Sequence, residues 1–356
     1  MRLSSVEVIP YALPFKAPYV TARGVLRERE MVLLRIRDED GVVGLGEAVP
    51  LSLRGGVTLT EVVRELEGWA ERQEAEGLSA PARCAVAVAR MDLLGRGAPD
   101  GGAGNDEAVP CNATLVAGEP EAVAADAEAW AADGFGTFKL KLGAESVKNL
   151  VEQGKSRTRK SRDVEQVRAV REALGPEVRI RVDVNAAWDL DTAKATLAAL
   201  EPYGIELAEQ PVGTLAEMSE LAHATPIPLA ADESVASLAE AERATTLGAC
   251  AYTGIKLSKV GGPEEALRIA DVLPAYITSA LDGPVGIAAG AQTALSLAET
   301  GHPERLHLAH GLATQRLFAE TIASVECELR NGMLHLPPGS GLGIEIDEDA
   351  LQAHRL

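Results

Sequence analysis

Residues 137–142 read TFKLKL and residues 178–185 read VRIRVDVN, and these two stretches decide the fold. In both, apolar and charged or polar residues alternate with period two, as in a β-strand that buries one face. In a barrel, the apolar face packs on outer helices and the other face points to the interior. We therefore expect Lys139, Lys141 and Asp183 to point inward.

Eight segments after about residue 106 have the composition of short buried strands, and segments rich in Ala, Glu and Arg separate them. Strands that alternate with helices predict an α/β fold with a parallel sheet, and eight units fit a (β/α)8 barrel better than an open sheet. The predicted strands are CNATLVAG (111–118), GFGTFKLKLG (134–143), VRIRVDVNA (178–186), GIELAEQP (204–211), IPLAADES (227–234), AYTGIKLSKVGG (251–262), AYITSALDG (275–283) and LHLAHGL (306–312).

The chain before the barrel has a different pattern. Residues 1 to about 50 alternate like antiparallel strands with an Asp-Gly turn at 40–41, and residues 60–95 have helical spacing. The run GAPDGGAGND at 97–106 is typical of a domain boundary. We predict an α+β capping domain over 1–105, a catalytic barrel over 106–325, and a C-terminal segment over 326–356 whose two short strands return to the capping domain.

Charge and composition exclude several classes of partner. The 356 residues include 34 Lys and Arg against 53 Asp and Glu, a formal charge of -19, which repels nucleic-acid phosphates and anionic lipids. No stretch reaches the ~18 apolar residues of a membrane span. The four cysteines are far apart without a zinc-binding pattern, and residues 1–15 lack the charged-then-apolar run that is typical of a secretory signal. We expect a cytoplasmic protein that binds a small carboxylate substrate and neither nucleic acid nor membrane; homo-oligomerisation stays open.

Charged and polar side chains occur at the C-terminal ends of five successive predicted strands, where barrel enzymes hold their catalytic groups. From the third strand to the sixth, the main charged positions are separated by 23 to 26 residues, about one βα unit. The residues are Lys139 and Lys141, Asp183 and Asn185, Glu209, Asp232 and Glu233, and Lys256.

Three of these carboxylates, with no His or Cys among them, form an all-oxygen set that suits Mg²⁺, or Mn²⁺, and not Zn²⁺. Repulsion between Lys139 and Lys141, aided by the dication, is expected to lower a lysine pKa and make Lys141 a base. An ion-pair network that only closes the barrel is the alternative. Three carboxylates and three lysines in one register, six charged groups without Glu233, favour the catalytic interpretation.

The motifs FKLKLG, RVDVNAAW, ELAEQPV, ADES and IKLSKVGG follow one another in barrel order, and GVLRERE, VGLGEAVP and ARMDLLGR precede them. Together they resemble the enolase superfamily, specifically its muconate-lactonizing branch. Sites of this superfamily use a Lys or His base with one or two Mg²⁺ ions that stabilise an ene-diolate. The resemblance implies Asp183, Glu209 and Asp232 as Mg²⁺ ligands, Lys141 as the base tuned by Lys139, Lys256 on the opposite face of the substrate, and Asn185 and Glu233 behind the ligands.

Within the branch, ITSALDGPVGIAAG at 277–290 is similar to the o-succinylbenzoate synthases, and TARG at 21–24 fits their substrate-facing loop. The usual SSALDTS pattern is altered, because Thr278 replaces the first Ser and Gly283-Pro284 replace Thr-Ser. A His-Asp dyad typical of mandelate-type racemases and a DxD pattern typical of dipeptide epimerases are both missing. The similarity implies substrate contacts at Arg23, Ser279, Asp282 and Gly283.

The implied reaction is the Mg²⁺-dependent dehydration of 2-succinyl-6-hydroxy-2,4-cyclohexadiene-1-carboxylate to o-succinylbenzoate in menaquinone synthesis, a carbon–oxygen lyase reaction. An N-acylamino acid racemase and a muconate cycloisomerase-like enzyme are the alternatives in the same superfamily. Racemisation begins with the same removal of a proton α to a carboxylate. A metal-binding barrel without catalysis is disfavoured, because the set of lysines and carboxylates is complete.

Overall fold

The computed structural model describes residues 2–21, 24–52, 55–97, 102–103, 107–143, 159–299 and 308–356. Three antiparallel strands in the order β1-β2-β3 open the chain. They are β1 (Leu3–Thr21), β2 (Gly24–Asp38) and β3 (Val43–Ala48). The predicted Asp-Gly turn joins β2 to β3, and Oδ1 of Asp38 accepts the N–H of Asp40 at 3.1 Å and of Val42 at 2.9 Å.

Two helices, α1 (Leu59–Arg72) and α2 (Ala80–Gly97), cover this sheet with their apolar faces. Helix α1 begins with a capping box between Thr58 and Glu61. Helix α2 approaches β3 so closely that a Cβ atom on Gly46 would collide with the backbone carbonyl of Ala85. Glycine at this position therefore sets the distance between the helix and the sheet.

The barrel prediction is confirmed: seven parallel strands form one sheet in chain order. Two short strands precede them, β4 (Gly102–Ala103) and β5 (Ala108–Pro110). The barrel strands are β6 (Ala113–Leu115), β7 (Thr137–Lys141), β8 (Arg179–Asp183), β9 (Ile205–Glu209), β10 (Leu229–Ala231), β11 (Tyr252–Ile255) and β12 (Ala275–Ile277). Within residues 308–312 the eighth predicted strand is reduced to two parallel bridges, Cys111 to His310 and Thr278 to Gly311, which join the edges of the sheet.

Helices separate the strands, as predicted from the composition of the intervening segments. They are α3 (Pro120–Ala132), α4 (Arg159–Leu174), α5 (Leu190–Leu200), α6 (Leu215–Ala222), α7 (Leu238–Leu247), α8 (Leu257–Val260), α9 (Pro263–Val272) and α10 (Pro284–Glu299). Ile180, Val182 and Val184 of the VRIRVDVN stretch belong to the main apolar core. The alternation thus separates an outward apolar face from an inward charged face, as predicted.

The C-terminal segment contacts both parts of the chain. Its elements are β13 (Ala323–Val325), β14 (Glu328–Arg330), β15 (Met333–His335), β16 (Gly339–Ser340), β17 (Glu345–Ile346) and α11 (Glu348–His354). Strand β16 pairs with β4 at the end of the predicted capping domain, whereas the hairpin β14–β15 pairs with β5 and not with the β1–β3 sheet. The residues after it do reach the capping domain, where Arg35 pairs with Glu348 at 2.5 Å and Leu356 N–H donates to Pro10 at 3.0 Å.

Among the residues that the structure describes, no helix combines the length and apolar character needed to cross a bilayer.

Candidate active site

Strand register brings the predicted site residues level at one end of the barrel. Lys141 on β7 is the register partner of Asp183 on β8, and Asp183 is the partner of Glu209 on β9. Glu209 in turn lies beside Ala230, two residues before Asp232. The three carboxyl side chains are fully buried, at 0% exposure. Buried ions of this kind need compensating charge.

On one side of the barrel mouth, two lysines supply that charge. Lys139 Nζ lies 3.3 Å from Oδ2 of Asp183 and 3.2 Å from Oε2 of Glu209. Lys141 Nζ lies 2.5 Å from the same Oδ2 of Asp183 and 3.0 Å from Oδ1 of Asn185. Both predicted lysines therefore point inward and share one carboxylate.

On the other side, Asp232 is the acceptor for two further lysines. Its Oδ2 contacts Nζ of Lys256, and its Oδ1 lies 2.9 Å from Nζ of Lys259. Lys259 also donates to the backbone carbonyl of Asp232. Asn185 Nδ2 donates to Oε1 of Glu233 at 3.0 Å and so connects the two sides of the mouth.

The expected fall in the pKa of Lys141 is not found in this structure. Burial acts to lower the pKa of Lys141, but the negative charge of Asp183 outweighs it, and the pKa is raised. Burial likewise acts to raise the pKa of Asp183, but Lys141 and Lys139 hold that pKa well below its usual range. The prediction counted the repulsion between the lysines and a bound dication and left out the carboxylate between them; a lower pKa of Lys141 with a dication at Asp183 stays a prediction.

Whether the site can hold a divalent ion depends on the three buried carboxylates at the barrel mouth. Within the described ranges, no three His, Cys, Asp or Glu side chains form a ready-made metal cluster. Lysine ammonium groups face the oxygens of Asp183, Glu209 and Asp232 instead. The donor chemistry, three buried carboxylates without nitrogen or sulfur ligands, fits a hard ion such as Mg²⁺.

Two side chains beneath the site were missed by the sequence analysis. Tyr276 donates its O–H to Oε2 of Glu209 at 2.6 Å. The Arg181 guanidinium lies 5.1 Å from the centre of the Tyr276 ring, and its Nη1 donates to the carbonyl of Ala309 at 2.6 Å. Period-two alternation in AYIT was the available signal, since it turns Tyr276 to the inward face of β12.

Gln210, directly after β9, was also missed. Its Oε1 accepts the N–H of Asp232 at 2.8 Å and of Ser234 at 3.1 Å. Its backbone has a φ of 40°, in the left-handed region. This conformation lets one side chain hold the chain that carries Asp232, and no local sequence signal indicates it.

The predicted substrate contacts after β12 are bonded within the protein. Ser279 Oγ donates to Oδ2 of Asp282 at 2.7 Å, and Asp282 N–H donates back to that Oγ at 2.8 Å. Gly283 N–H donates to Oε1 of Glu47 on β3 at 2.7 Å. Arg23 lies outside the described residues. A hydrogen bond from the Gly283 N–H to a substrate therefore requires its bond to Glu47 to open.

The sequence matches two family models. Residues 4–99 match the model described as "Mandelate racemase / muconate lactonizing enzyme, N-terminal domain", and residues 122–350 match "Enolase C-terminal domain-like". This chain belongs to the enolase superfamily. The resemblance seen in the motifs is thereby confirmed.

Enolase-superfamily enzymes of several activities are similar to this chain. An o-succinylbenzoate synthase of Thermobifida fusca is 36% identical over 285 residues, covering 78% of this chain and 82% of that protein. Muconate cycloisomerase 1 of Pseudomonas putida is 27% identical over 378 residues, with 97% and 96% covered. N-succinyl-L-Arg/Lys racemase of Bacillus cereus is 26% identical over 385 residues, with 99% and 97% covered.

Solved structures of enolase-superfamily enzymes share the whole architecture. A muconate lactonizing enzyme of Pseudomonas fluorescens, in complex with muconolactone, has a TM-score of 0.85 at 26% identity over 99% of each chain. A dipeptide epimerase of Enterococcus faecalis, in complex with Mg and L-Leu-L-Tyr, has a TM-score of 0.84 at 25% identity, with 97% of this chain and 100% of that chain covered. These relatives show an enzyme fold and leave the individual reaction to be proposed.

Proposed function

We propose that this enolase-superfamily enzyme is an o-succinylbenzoate synthase, a lyase that dehydrates 2-succinyl-6-hydroxy-2,4-cyclohexadiene-1-carboxylate in menaquinone synthesis. One observation carries the proposal. Lys141 at the end of β7 and Lys256 after β11 lie four positions apart in a ring of eight, if the bridged segment at 310–311 is counted as the eighth. Two ammonium-bearing side chains therefore face each other across the barrel mouth.

Asp183, Glu209 and Asp232 are the residues that would hold a divalent ion, Mg²⁺ or Mn²⁺. When bound, the ion supplies positive charge for the substrate carboxylate and for the charge that develops on it. This local positive charge matters because the formal charge of the whole chain is -19. The ammonium groups of Lys139, Lys256 and Lys259 act in the same direction.

The lysines have different tasks in the proposed reaction. Lys141, in its neutral form, takes the proton from the carbon that bears the carboxylate. The electron pair of that C–H bond forms the new ring double bond, and the C–O bond to the 6-hydroxyl breaks. The proton and the hydroxide together make the water that is lost. Lys256 stays a cation on the opposite face and stabilises the negative charge that develops on the carboxylate.

Neighbouring groups orient the base. Lys139 keeps Asp183 and Glu209 together through its two ion pairs. Asn185 accepts a hydrogen bond from Lys141 at 3.0 Å and so fixes the direction of its amine. Aromatisation of the ring drives the reaction forward, so the site needs few groups beyond these.

Racemisation of N-acylamino acids is the second candidate. The observation in its favour is that Lys256 contacts Asp232 as Lys141 contacts Asp183, so either lysine has a carboxylate beside it. In that reaction Lys256 would have to give and take protons itself. In the dehydration it remains charged throughout.

Turnover by the purified protein with Mg²⁺ tests the proposal. Formation of o-succinylbenzoate from the cyclohexadiene substrate supports it, and absence of that product while N-succinylamino acids racemise overturns it in favour of the racemase. Incubation of each enantiomer of an N-succinylamino acid in D₂O reports which lysine exchanges the α-proton of that compound. Lys194→Ala is the matched control, because Lys194 is half-exposed and pairs with Glu220 on the outer helices.

A further inference from the structure

We propose that Glu47 of the capping domain is a positioning residue for substrate binding, because it holds the β12–α10 loop, residues 278–283, beside Lys256. The effect that we expect on KM rests on the proposed function. The effect that we expect on the conformation of the loop does not, because it is measured without substrate.

The β12–α10 loop begins next to the site. Ile255 and Ile277 are register partners on β11 and β12, so Lys256 and Thr278 follow them side by side. Thr278 N–H donates to the carbonyl of Ile255 at 2.8 Å. The loop therefore borders the lysine that we place opposite the base.

The conformation of the loop is strained and needs support. Leu281 has a φ of 68°, in the left-handed region, which is sterically unfavourable for a residue that has a Cβ atom. The two hydrogen bonds between Ser279 and Asp282 close the turn around it. Such a conformation persists only where the surroundings determine it.

The capping domain supplies that support at both ends of the turn. At one end, Arg29 Nη2 on β2 donates to the carbonyls of Ala280 at 3.2 Å and Pro50 at 2.8 Å. At the other, Oε1 of Glu47 accepts Gly283 N–H at 2.7 Å. Its Oε2 accepts the O–H of Tyr11 at 2.8 Å. Glu47 is 2% exposed, so water cannot replace these bonds.

The position of Glu47 also explains the glycine in the altered SSALDTS pattern. A Cβ atom at Gly283 would lie 2.7 Å from Oε2 of Glu47 and would collide with the hydroxyl of Tyr11. A Cβ atom at Gly286 would lie 2.7 Å from Oε1 of Glu47. The space that Thr would fill at 283 is therefore taken by the carboxyl group and the phenol of the capping domain.

This arrangement closes the start of helix α10 to the substrate. Free N–H groups at a helix N-terminus can bind an anion. Here the carboxyl of Glu47 takes the N–H of Gly283. The succinyl carboxylate of the substrate would therefore bind away from this end of the helix. The β12–α10 loop would form part of the wall of the substrate pocket beside Lys256.

Substitution of Glu47 with two side chains of similar size tests the proposal. Glu47→Gln keeps an oxygen for Gly283 N–H, whereas Glu47→Leu removes it. We expect Glu47→Leu to raise KM about tenfold, as for the loss of one or two hydrogen bonds, with kcat within about threefold. Glu47→Gln should restore KM to within about threefold of the parent. Equal KM values for the parent and Glu47→Leu would overturn the proposal.

Hydrogen exchange separates failure of this inference from failure of the proposed function, since it needs no substrate. In Glu47→Leu, amides of residues 278–286 should exchange at least tenfold faster, while those of β7 and β8 keep their protection. Unchanged exchange in the loop overturns the positioning role whatever reaction the enzyme catalyses. Should Glu47→Leu fail to fold, Tyr11→Phe removes the hydroxyl that anchors Oε2, and the same readouts decide.

Asp92→Asn is the matched control. Asp92 is another fully buried carboxylate of the capping domain, and its oxygens accept Leu45 N–H at 2.8 Å and Leu342 N–H at 2.7 Å. It should lower the global stability without a specific change in KM or in exchange of residues 278–286. Faster hydrogen exchange confined to residues 278–286 in Asp92→Asn would show that destabilising the capping domain at any site alters this loop. That result would overturn the specific role of Glu47.

Discussion

Nζ of Lys141 lies 2.5 Å from Oδ2 of Asp183, so the proposed base and a proposed metal ligand form a buried ion pair. A divalent ion at Asp183 would compete with that ammonium group for the same oxygen. Binding of the metal and release of the base from its carboxylate are thus physically coupled. The first prediction follows from this coupling.

Lys141→Ala should abolish turnover, with kcat reduced by about 10²- to 10⁴-fold or more, because the base is removed. Mg²⁺ affinity, measured by calorimetry, should stay the same or increase, since one competing cation has left Asp183. Lys194→Ala should match the parent in both measurements. Retained turnover in Lys141→Ala would contradict the assignment of the base.

Asp232→Asn should weaken Mg²⁺ binding and destabilise the fold. The substitution leaves Lys256 and Lys259 with a neutral partner in a site that is almost fully buried, and breaking a buried pair costs about 3 kcal/mol. Chemical denaturation without metal measures this loss of free energy of unfolding. An unchanged denaturation midpoint would show that the two lysines find other partners.

Tyr276→Phe should lower Mg²⁺ affinity by about tenfold, in the range typical of partners that orient a metal ligand. The phenol donates to Oε2 of Glu209 at 2.6 Å, and its loss leaves that carboxylate with one partner fewer beside Lys139. Calorimetric titration with Mg²⁺ is the measurement. Tyr203→Phe, on the outside of the barrel, is the control, and equal affinities in all three proteins would contradict a role for Tyr276.

The contribution of Glu47 to the stability of the protein should fall as the pH rises from about 5 to 8. Burial, and then the negative charge of Asp282, raise the pKa of Glu47 to about 8 from its usual 4.5. Between these pH values the folded chain keeps a proton that the unfolded chain has lost, so this group makes stability fall by about 1.4 kcal/mol per pH unit.

Glu47→Gln should remove this contribution to the slope. The hydroxyl of Tyr11 and the carboxyl of Asp282 face the side chain at position 47, and burial raises the pKa of both groups. Both groups are present in the parent and in the variant. The difference in free energy of unfolding between parent and variant, measured at several pH values, isolates Glu47. If the free energies of unfolding of parent and variant changed with pH in the same way, Glu47 would have an ordinary pKa in the folded protein.

Part of the site could be predicted from the sequence because it depends on local periodicity. TFKLKL and VRIRVDVN place their charged residues on one face of a strand, and repetition of the βα unit puts the strand ends at one edge. Lys139, Lys141, Asp183, Glu209 and Asp232 were found in this way, and the structure brings them to one mouth. Their roles in binding and catalysis stay predictions.

The partners of those groups could not be predicted in this way. Lys259 is not among the predicted site residues, yet its ammonium lies 2.9 Å from Oδ1 of Asp232. The pKa of Lys141 was expected to fall, yet it is raised by Asp183, which is 42 residues away in the chain. Short-range electrostatics depends on distances of a few ångströms, which a linear pattern does not contain.

The sequence by itself determined the α/β barrel, the capping domain before it and the inward set of lysines and carboxylates, because each follows from spacing along one chain. Tertiary structure alone decided that the C-terminal hairpin pairs with β5, that Tyr276 holds Glu209, and that Glu47 of the capping domain takes the N–H of Gly283. These contacts join residues up to 236 positions apart. Their formation depends on how the packed elements fill space, and packing has no periodic signature in sequence.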